Sequence, residues 1–339
     1  MSANAQRGVV LSFVVPLYNE QESLASFYRQ LHAVAQKLAE PYEIIFVNDG
    51  STDSSGEILR DLHSQDEHVR YLSLSRNFGK HEAMAAGYDV TTGQAVITLD
   101  ADGQHPPEFV DQLIAKWREG FDVVYTVRTN ADAATGWKRA TGRLFYSAFK
   151  HISGMDLTDC GDFLLLDRKV VEALRAVHEK SRFTRGLIQW LGFNQARLPY
   201  QALPRAGGKS GYSFGKLMAT AGAALCNFST LPLRAVAGLG VAMTCLAIVY
   251  ALFALVLWLF VGGSWLGNIV ALLVGLTGLN IAALGVVGEY VGRTFEEARN
   301  RPLYVIRDAV GFDMDSEEIK RTVPVRRVTA SASKIRFFT

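Results

Sequence analysis

A doubly wound α/β domain with a mostly parallel sheet, followed by two membrane-crossing helices, is the architecture this sequence predicts. Three observations predict it. Apolar runs rich in β-branched residues alternate with amphipathic segments at the spacing of strand–helix–strand units. Those runs end in turn residues and carboxylates, at Pro16 to Glu20, at Asp49 and at Asp100/Asp102. From Ala235 to Gly288, 54 consecutive residues then carry no Asp, Glu, Lys, Arg or His.

The first strand is Val9 to Pro16, and Leu17-Tyr18-Asn19-Glu20 forms the loop after it. An amphipathic pattern through about Leu38 reads as a helix. Glu43 to Val47 is the second strand, broken by Asn48-Asp49-Gly50-Ser51-Thr52-Asp53, which supplies turn residues and a helix cap. A second helix runs to about Ser64 and a third strand from Val69 to Leu74. Ser75-Arg76-Asn77-Phe78-Gly79-Lys80 follows, then a third helix from Glu82 to Val90. The fourth strand opens at Val96 and ends in Asp100-Ala101-Asp102-Gly103-Gln104-His105-Pro106-Pro107.

That last stretch carries the chemistry. While the backbone stays extended, residues i and i+2 point the same way, so Asp100 and Asp102 can face one object together. In an open α/β sheet the ligand crevice lies outside the carboxyl ends of the strands. Two adjacent carboxylates repel, and a hard divalent cation such as Mg²⁺ or Mn²⁺ holds both ionised while leaving positions for substrate phosphates. The plainer reading is a polar turn after a strand. Strand ends one, two and four share an edge, and a carboxylate such as Asp49 can accept hydrogen bonds from a base or ribose. Together they suit a nucleoside diphosphate. No Gly-x-Gly-x-x-Gly follows the first strand and no Gly-Lys-Ser/Thr loop is present, which disfavours a dinucleotide dehydrogenase or a P-loop NTPase.

Length and composition set the outer bounds. The 339 residues can hold one large domain or two ordinary ones. A net charge of +2 implies no strong field toward nucleic acid, so none is expected as a partner. Cys160, Cys226 and Cys245 are widely spaced without metal-ligand spacing, so neither a disulfide framework nor a zinc site is expected. The N-terminus lacks the basic and apolar regions of a signal peptide.

A spanning helix needs roughly 20 apolar residues. The uncharged run therefore fits two, about 235–261 and 266–289, joined at Gly262-Gly263-Ser264-Trp265. Arg234 precedes the pair, and Arg293, Arg299, Arg301 and Arg307 follow it, so both flanks are expected to be cytoplasmic. Trp258, Trp265 and Tyr250 are candidate interface anchors, although Tyr250 also suits packing within the pair. Gly275, Gly278, Gly285 and Gly288 allow packing against neighbours, so a homo-oligomer is open.

Val-Val-Pro-Leu-Tyr-Asn-Glu, Val-Asn-Asp-Gly-Ser-Thr-Asp, Arg-Asn-Phe-Gly-Lys and Leu-Asp-Ala-Asp-Gly-Gln-His-Pro-Pro together resemble a family 2 glycosyltransferase of the GT-A fold. The branch most similar is the polyisoprenyl-phosphate glycosyltransferases, such as dolichol-phosphate mannose synthase and the bacterial undecaprenyl-phosphate glucosyl and aminoarabinosyl transferases. The resemblance covers about residues 9–310. It implies that Pro16, Leu17, Asn19, Glu20, Asp49 and Lys80 hold the nucleotide or its phosphates, with Asp100 and Ala101 beside them. It also implies that Asp100, Asp102 and Gln104 hold Mg²⁺ or Mn²⁺.

Gly161-Asp162-Phe163 resembles the segment that supplies the family's catalytic Asp, which points to Asp162. The second pKa of a phosphate monoester is near 6, so a prenyl phosphate is already an anionic nucleophile at neutral pH. Asp162 is then expected to orient the acceptor or sugar as much as to remove a proton. Ser181 to Leu187 and Gly207 to Ser213 resemble two further family segments, giving Arg185, Lys209 and Ser213 as candidates for the acceptor phosphate. Arg139 and Arg143 join them on segment 136–151, whose apolar face and cations suit an interfacial helix or one packed on the sheet. Segment 214–231 is a second interfacial candidate.

Gln189-Trp190 stand without the Gln-x-x-Arg-Trp of processive synthases, which disfavours polymer synthesis. The second apolar stretch lacks internal acids and bases, which disfavours an ion-coupled transporter. Residues 1–230 are thus expected to form the cytoplasmic catalytic domain and 290–339 a cytoplasmic basic tail. The expected activity is inverting transfer of one sugar from a nucleotide sugar, first UDP-glucose, to a polyprenyl phosphate in the inner membrane. A membrane-anchored transferase with another acceptor, and a nonenzymatic scaffold or lipid-sugar flippase, are the alternatives.

Overall fold

In the computed structural model, residues 9–128, 161–177, 179, 184–200, 231–261, 266–299 and 301–312 are described. In chain order they form β1 (Leu11–Leu17), α1 (Leu24–Lys37), β2 (Tyr42–Asn48), α2 (Ser55–Gln65), β3 (Val69–Leu74), α3 (Lys80–Val90) and β4 (Ala95–Thr98). A short 3-10 turn (Pro107–Phe109) leads into α4 (Val110–Arg118) and β5 (Val123–Arg128). Then come β6 (Leu164–Asp167), α5 (Arg168–Ala176), α6 (Thr184–Trp190) and β7 (Gln195–Tyr200). The long helices α7 (Leu231–Val261) and α8 (Leu266–Ala298) precede β8 (Ile306–Val310). The alternation read from the sequence through the first four strands is this architecture.

The strands make one mixed, mostly parallel sheet in the order β7-β5-β6-β4-β1-β2-β3-β8. β1 pairs in parallel with both β2 and β4, and β2 with β3. These central strands are buried along nearly their whole length, as crossover helices on both faces require. Three pairings are antiparallel: β4 with β6, β5 with β6, and β3 with β8. The chief core cluster joins Phe13, Val15, Phe46 and Ile97 of the sheet to Phe27 and Leu31 of α1 and to Phe163.

Two expectations need correction. β4 ends at Thr98, and Ala101-Asp102 lie in a turn, so the two carboxylates do not ride on an extended strand. Gly103, at φ 74°, bends the chain there, and Pro106 and Pro107 prevent the strand from continuing. Residues 290–339 are also not simply a basic tail. α8 runs to Ala298 and residues 306–310 are the edge strand β8. Arg307 and Asp308 are exposed there, as charges are on the protected edge of a sheet.

Tyr304, 2% exposed, ties this segment down by donating its hydroxyl hydrogen to Asp89 Oδ2 at 2.6 Å. Asp89 lies near the end of α3.

The helix pair belongs to a second compact unit that includes residues 212–301. Half-buried positions recur on α7 at Val236, Gly240, Met243, Ala247, Tyr250 and Ala254, and on α8 at Leu272, Leu276, Leu279, Ala283, Val286 and Tyr290. This alternation of three and four is the seam of two helices packed side by side. Tyr250 therefore packs within the pair. Leu246, Leu252, Leu259 and Leu284 are among many apolar side chains left exposed. A helix that is apolar all round needs a non-aqueous surround. Among the described residues, one stretch, Val236–Phe260, is long and apolar enough to cross a membrane, with a mean hydropathy of 2.5.

Candidate active site

The register of two antiparallel strands brings the site together. Thr98 at the end of β4 pairs with Leu164 at the start of β6. Asp100 lies two residues beyond that pair and Asp162 two residues before it, so both emerge at one sheet edge. β1 and β2 run parallel to β4 and end at the same edge, which adds the loops carrying Asn19, Glu20 and Asp49.

Asp162 is fixed by its neighbours. The Gly161 amide donates to Thr126 O at 3.1 Å, and Thr126 donates from both its amide and its hydroxyl to Phe163 O. A Cβ at Gly161 would lie 2.9 Å from Thr126 O, so the close approach demands glycine. Phe163 is completely buried.

Lys80 opens α3. That helix sits tightly on the sheet because Gly87 lets it approach: a Cβ there would lie 2.4 Å from Val14 Cγ1. At its far end, Arg175 donates to Tyr88 O and Thr91 O, and Arg168 to Thr91 O and Gly93 O. Cations suit the negative end of a helix and anchor this one.

The result is a chain of alternating charges. Lys80 Nζ lies 2.7 Å from Asp100 Oδ1, 2.8 Å from Asp100 Oδ2 and 2.7 Å from Asp162 Oδ2. Arg185 Nε, from α6, donates to Asp162 Oδ1 at 2.7 Å. Short charge-assisted bonds of this kind are stronger than neutral ones. Burial alone would raise the Asp162 carboxyl, but the Lys80 and Arg185 charges and hydrogen bonds outweigh it and hold it far below the usual carboxylate range. Burial likewise opposes the Lys80 charge, and Asp100 and Asp162 together push its pKa up. At neutral pH both groups are charged, and Asp162 is a weak proton acceptor.

The Asp100-to-Gln104 turn presents oxygen atoms. Asp102 Oδ1 accepts the Gln104 amide at 3.0 Å, which folds the turn back on itself. Two carboxylates and one amide oxygen are of the hard-donor type that Mg²⁺ or Mn²⁺ takes. The Lys80 ammonium on both oxygens of Asp100 is a cation already seated at that position.

Asp49 behaves differently from the sequence expectation of a group open to the base or ribose. It is 3% exposed, and its two oxygens accept the Phe78 and Gly79 amides at 2.7 and 2.9 Å. Burial raises its pKa, partly offset by those amides and by Arg76. Gly50, at φ 67°, would place a Cβ 2.3 Å from the Arg76 backbone, so only glycine lets the two loops meet. Asp49 thus shapes the 76–80 loop from beneath, and the Arg76 guanidinium stacks 4.0 Å over the Phe78 ring at its surface.

Asn19, in a left-handed conformation at φ 55°, accepts the Thr52 amide on its side chain at 2.8 Å. The Glu20 amide donates to Ser55 Oγ at 3.0 Å, and its carboxylate accepts from Ser23 Oγ at 2.7 Å. Pro16 and Leu17 complete β1, and Leu17 O accepts the Asp49 amide. These residues clamp the first two loops together.

The structure thus gathers Lys80, Asp100, Asp162 and Arg185 into one contact network, with Ala101, Asp102 and Gln104 in the adjoining turn. Arg139, Arg143, Lys209, Ser213 and segments 136–151 and 214–230 lie outside the described residues. Two histidines were missed. His81, beside Lys80, has Nδ1 3.3 Å from Thr184 Oγ1, and burial lowers its pKa, so it is neutral. His105, 3% exposed, contacts Asp100 directly. Its signal was its place inside the acidic motif, where a surface turn has no need of an imidazole.

Residues 12–175 match the family described as "Glycosyl transferase family 2". The chain is 37% identical over 310 residues to the "Uncharacterized glycosyltransferase YkcC" of Bacillus subtilis (strain 168), covering 91% of this chain and 96% of that protein. It is 34% identical over 300 residues to the "Prophage bactoprenol glucosyl transferase homolog" of Escherichia coli (strain K12), covering 88% and 98%. Glucosyl-3-phosphoglycerate synthase from Mycobacterium tuberculosis, crystallised with Mn²⁺, uridine diphosphate and phosphoglyceric acid, aligns with a TM-score of 0.47 at 22% identity, over 63% of this chain and 75% of that one. On the strength of its full-length relatives and its matched domain, the chain belongs to glycosyl transferase family 2.

Proposed function

We propose that this glycosyltransferase moves a single sugar from a nucleotide sugar, first UDP-glucose, to a polyprenyl phosphate at the cytoplasmic face of the inner membrane. The observation that carries the chemistry is the Asp100–Lys80–Asp162–Arg185 network at the sheet edge. The polyprenyl acceptor is suggested by the relative named as a bactoprenol glucosyl transferase homolog.

An oxygen of the lipid phosphate attacks C1 of the sugar as the bond from C1 to the diphosphate oxygen breaks. In-line attack inverts the anomeric centre. Asp100, Asp102 and Gln104 are the residues that would hold Mg²⁺ or Mn²⁺, which would supply Lewis-acid neutralisation of the leaving diphosphate. The Lys80 ammonium lies where it can meet the same phosphates. Asp162, ion-paired on both oxygens, orients the acceptor together with Arg185 rather than acting as a base. The acceptor needs none, since a phosphate monoester is largely dianionic at neutral pH. Arg139, Arg143, Lys209 and Ser213 are retained from the sequence as further contacts to the acceptor phosphate.

Two membrane crossings, with both flanks cytoplasmic, complete the proposal. Support comes from β8, which follows the helix pair in sequence yet pairs with β3 in the catalytic sheet. A chain that leaves a water-soluble domain and returns to it crosses a membrane an even number of times. If α7 spans, α8 spans back.

The test is acceptor choice. Full-length protein in lipid nanodiscs, given UDP-glucose and Mn²⁺, is expected to glucosylate undecaprenyl phosphate and to stop when the metal is chelated. Transfer to water-soluble acceptors with undecaprenyl phosphate inert would overturn the acceptor assignment.

A further inference from the structure

His105 has the features of a residue that acts through another. Its Nδ1 lies 2.9 Å from the Asp100 backbone nitrogen, and a backbone N–H can only donate, so Nδ1 must accept and the hydrogen sits on Nε2. Nε2 in turn lies 3.7 Å from Asp100 Oδ2. One imidazole therefore addresses both the backbone and the carboxylate of the same aspartate. The ring itself cannot swing. It stacks on Phe163 with centroids 5.0 Å apart and planes 18° apart, and Tyr200 meets it edge-on at 6.2 Å. Phe163 directly follows Asp162. His105 thus joins the turn that carries Asp100 to the segment that carries Asp162, from the buried side of the site.

We propose that His105 is a positioning residue: by accepting the Asp100 amide hydrogen from a ring locked on Phe163, it sets the Asp100 carboxylate for the divalent cation. This rests on the reading of Asp100 as a metal-holding residue. Lys80 contacts both carboxylate oxygens of Asp100, and His105 holds the backbone behind them, at a point where β4 has already ended.

Three substitutions separate acceptor from ring. Asn places its amide oxygen near the position of Nδ1. Gln places it near Nε2. Phe keeps the stack and removes the acceptor. The measurement is Mn²⁺ binding to the full chain in nanodiscs, read by electron paramagnetic resonance without nucleotide, alongside amide exchange of residues 99–105. His105→Asn is expected to keep wild-type affinity and slow exchange at Asp100. His105→Gln and His105→Phe are expected to weaken Mn²⁺ about 10-fold, the loss typical when the partner of a metal ligand is removed, and to speed exchange. Equal behaviour of Asn and Gln would overturn the proposal, even if the Phe variant fails to fold. A wild-type protein that binds no Mn²⁺ would overturn the metal reading itself, and the proposal with it.

Discussion

Lys80 Nζ lies 2.7 Å from Asp162 Oδ2, although 82 residues separate them in the chain. With Arg185 on the other oxygen, this contact leaves Asp162 charged under all physiological conditions. A carboxyl whose pKa is depressed on folding contributes stability that is present above its unfolded value and is lost only as pH falls through the lower folded value. The contribution is therefore constant from neutral pH down to about pH 4. Asp162 cannot produce an acidic limb in the rate profile above that point. The limb is expected to follow the second ionisation of the lipid phosphate, with an apparent pKa of about 6. The residual activity of Asp162→Asn should show the same limb, and its disappearance in that variant would assign the titration to Asp162 instead.

Replacement of Lys80 separates two effects with opposite signs. Lys80→Met removes a cation from the diphosphate, and turnover is expected to fall roughly 10²- to 10³-fold, as when one charge-stabilising donor is lost. The same change frees both oxygens of Asp100 from a competing ammonium. Mn²⁺ without nucleotide should then bind more tightly than to the wild type. Titration of Mn²⁺ into both proteins checks this, and weaker binding by the variant would show that Lys80 does not compete with the metal.

The legible part of the molecule was the part with a local signal. Strands β1 to β4 are apolar runs punctuated by Asn-Asp-Gly and Gly-Gln-His-Pro-Pro, so their existence and order could be read directly. The position of Asp49 at a strand end was also readable, but not its task. That depends on amides 29 and 30 residues away, brought there by a loop contact with no sequence period. β8 was hidden because Arg307 and Asp308 break the apolar pattern, as edge strands require, and because the partner β3 lies more than 200 residues earlier. Asp162 was found through resemblance, whereas Lys80 and Arg185 were assigned to ligands rather than to the Asp162 carboxylate that both of them contact.

Tyr304 gives a stability test of that edge. Its hydroxyl donates to the buried Asp89 of α3, so Tyr304→Phe removes one partner of a buried polar contact at a cost of about 1–3 kcal/mol. A lower thermal midpoint is expected, with earlier proteolysis around residues 301–312. An unchanged midpoint would mean that β8 is held by its ladder alone.

Topology can be read by labelling. A single cysteine at Ser264, in a chain lacking the native three, is expected to react with an impermeant thiol reagent applied outside intact cells. One at Asp308 is expected to react only after permeabilisation. Labelling of both from outside would exclude the two-span arrangement.

The most direct measurement is the mass of the lipid product in membranes containing wild-type protein or Asp102→Asn, each supplied with undecaprenyl phosphate and a panel of nucleotide sugars. The wild type is expected to convert undecaprenyl phosphate to the species heavier by one hexose with UDP-glucose. Asp102→Asn is expected to insert and fold but to leave the lipid unmodified. Undiminished metal-dependent conversion by the variant, or an unmodified lipid with every donor in the wild type, would contradict sugar transfer to a polyprenyl phosphate at this edge of the sheet.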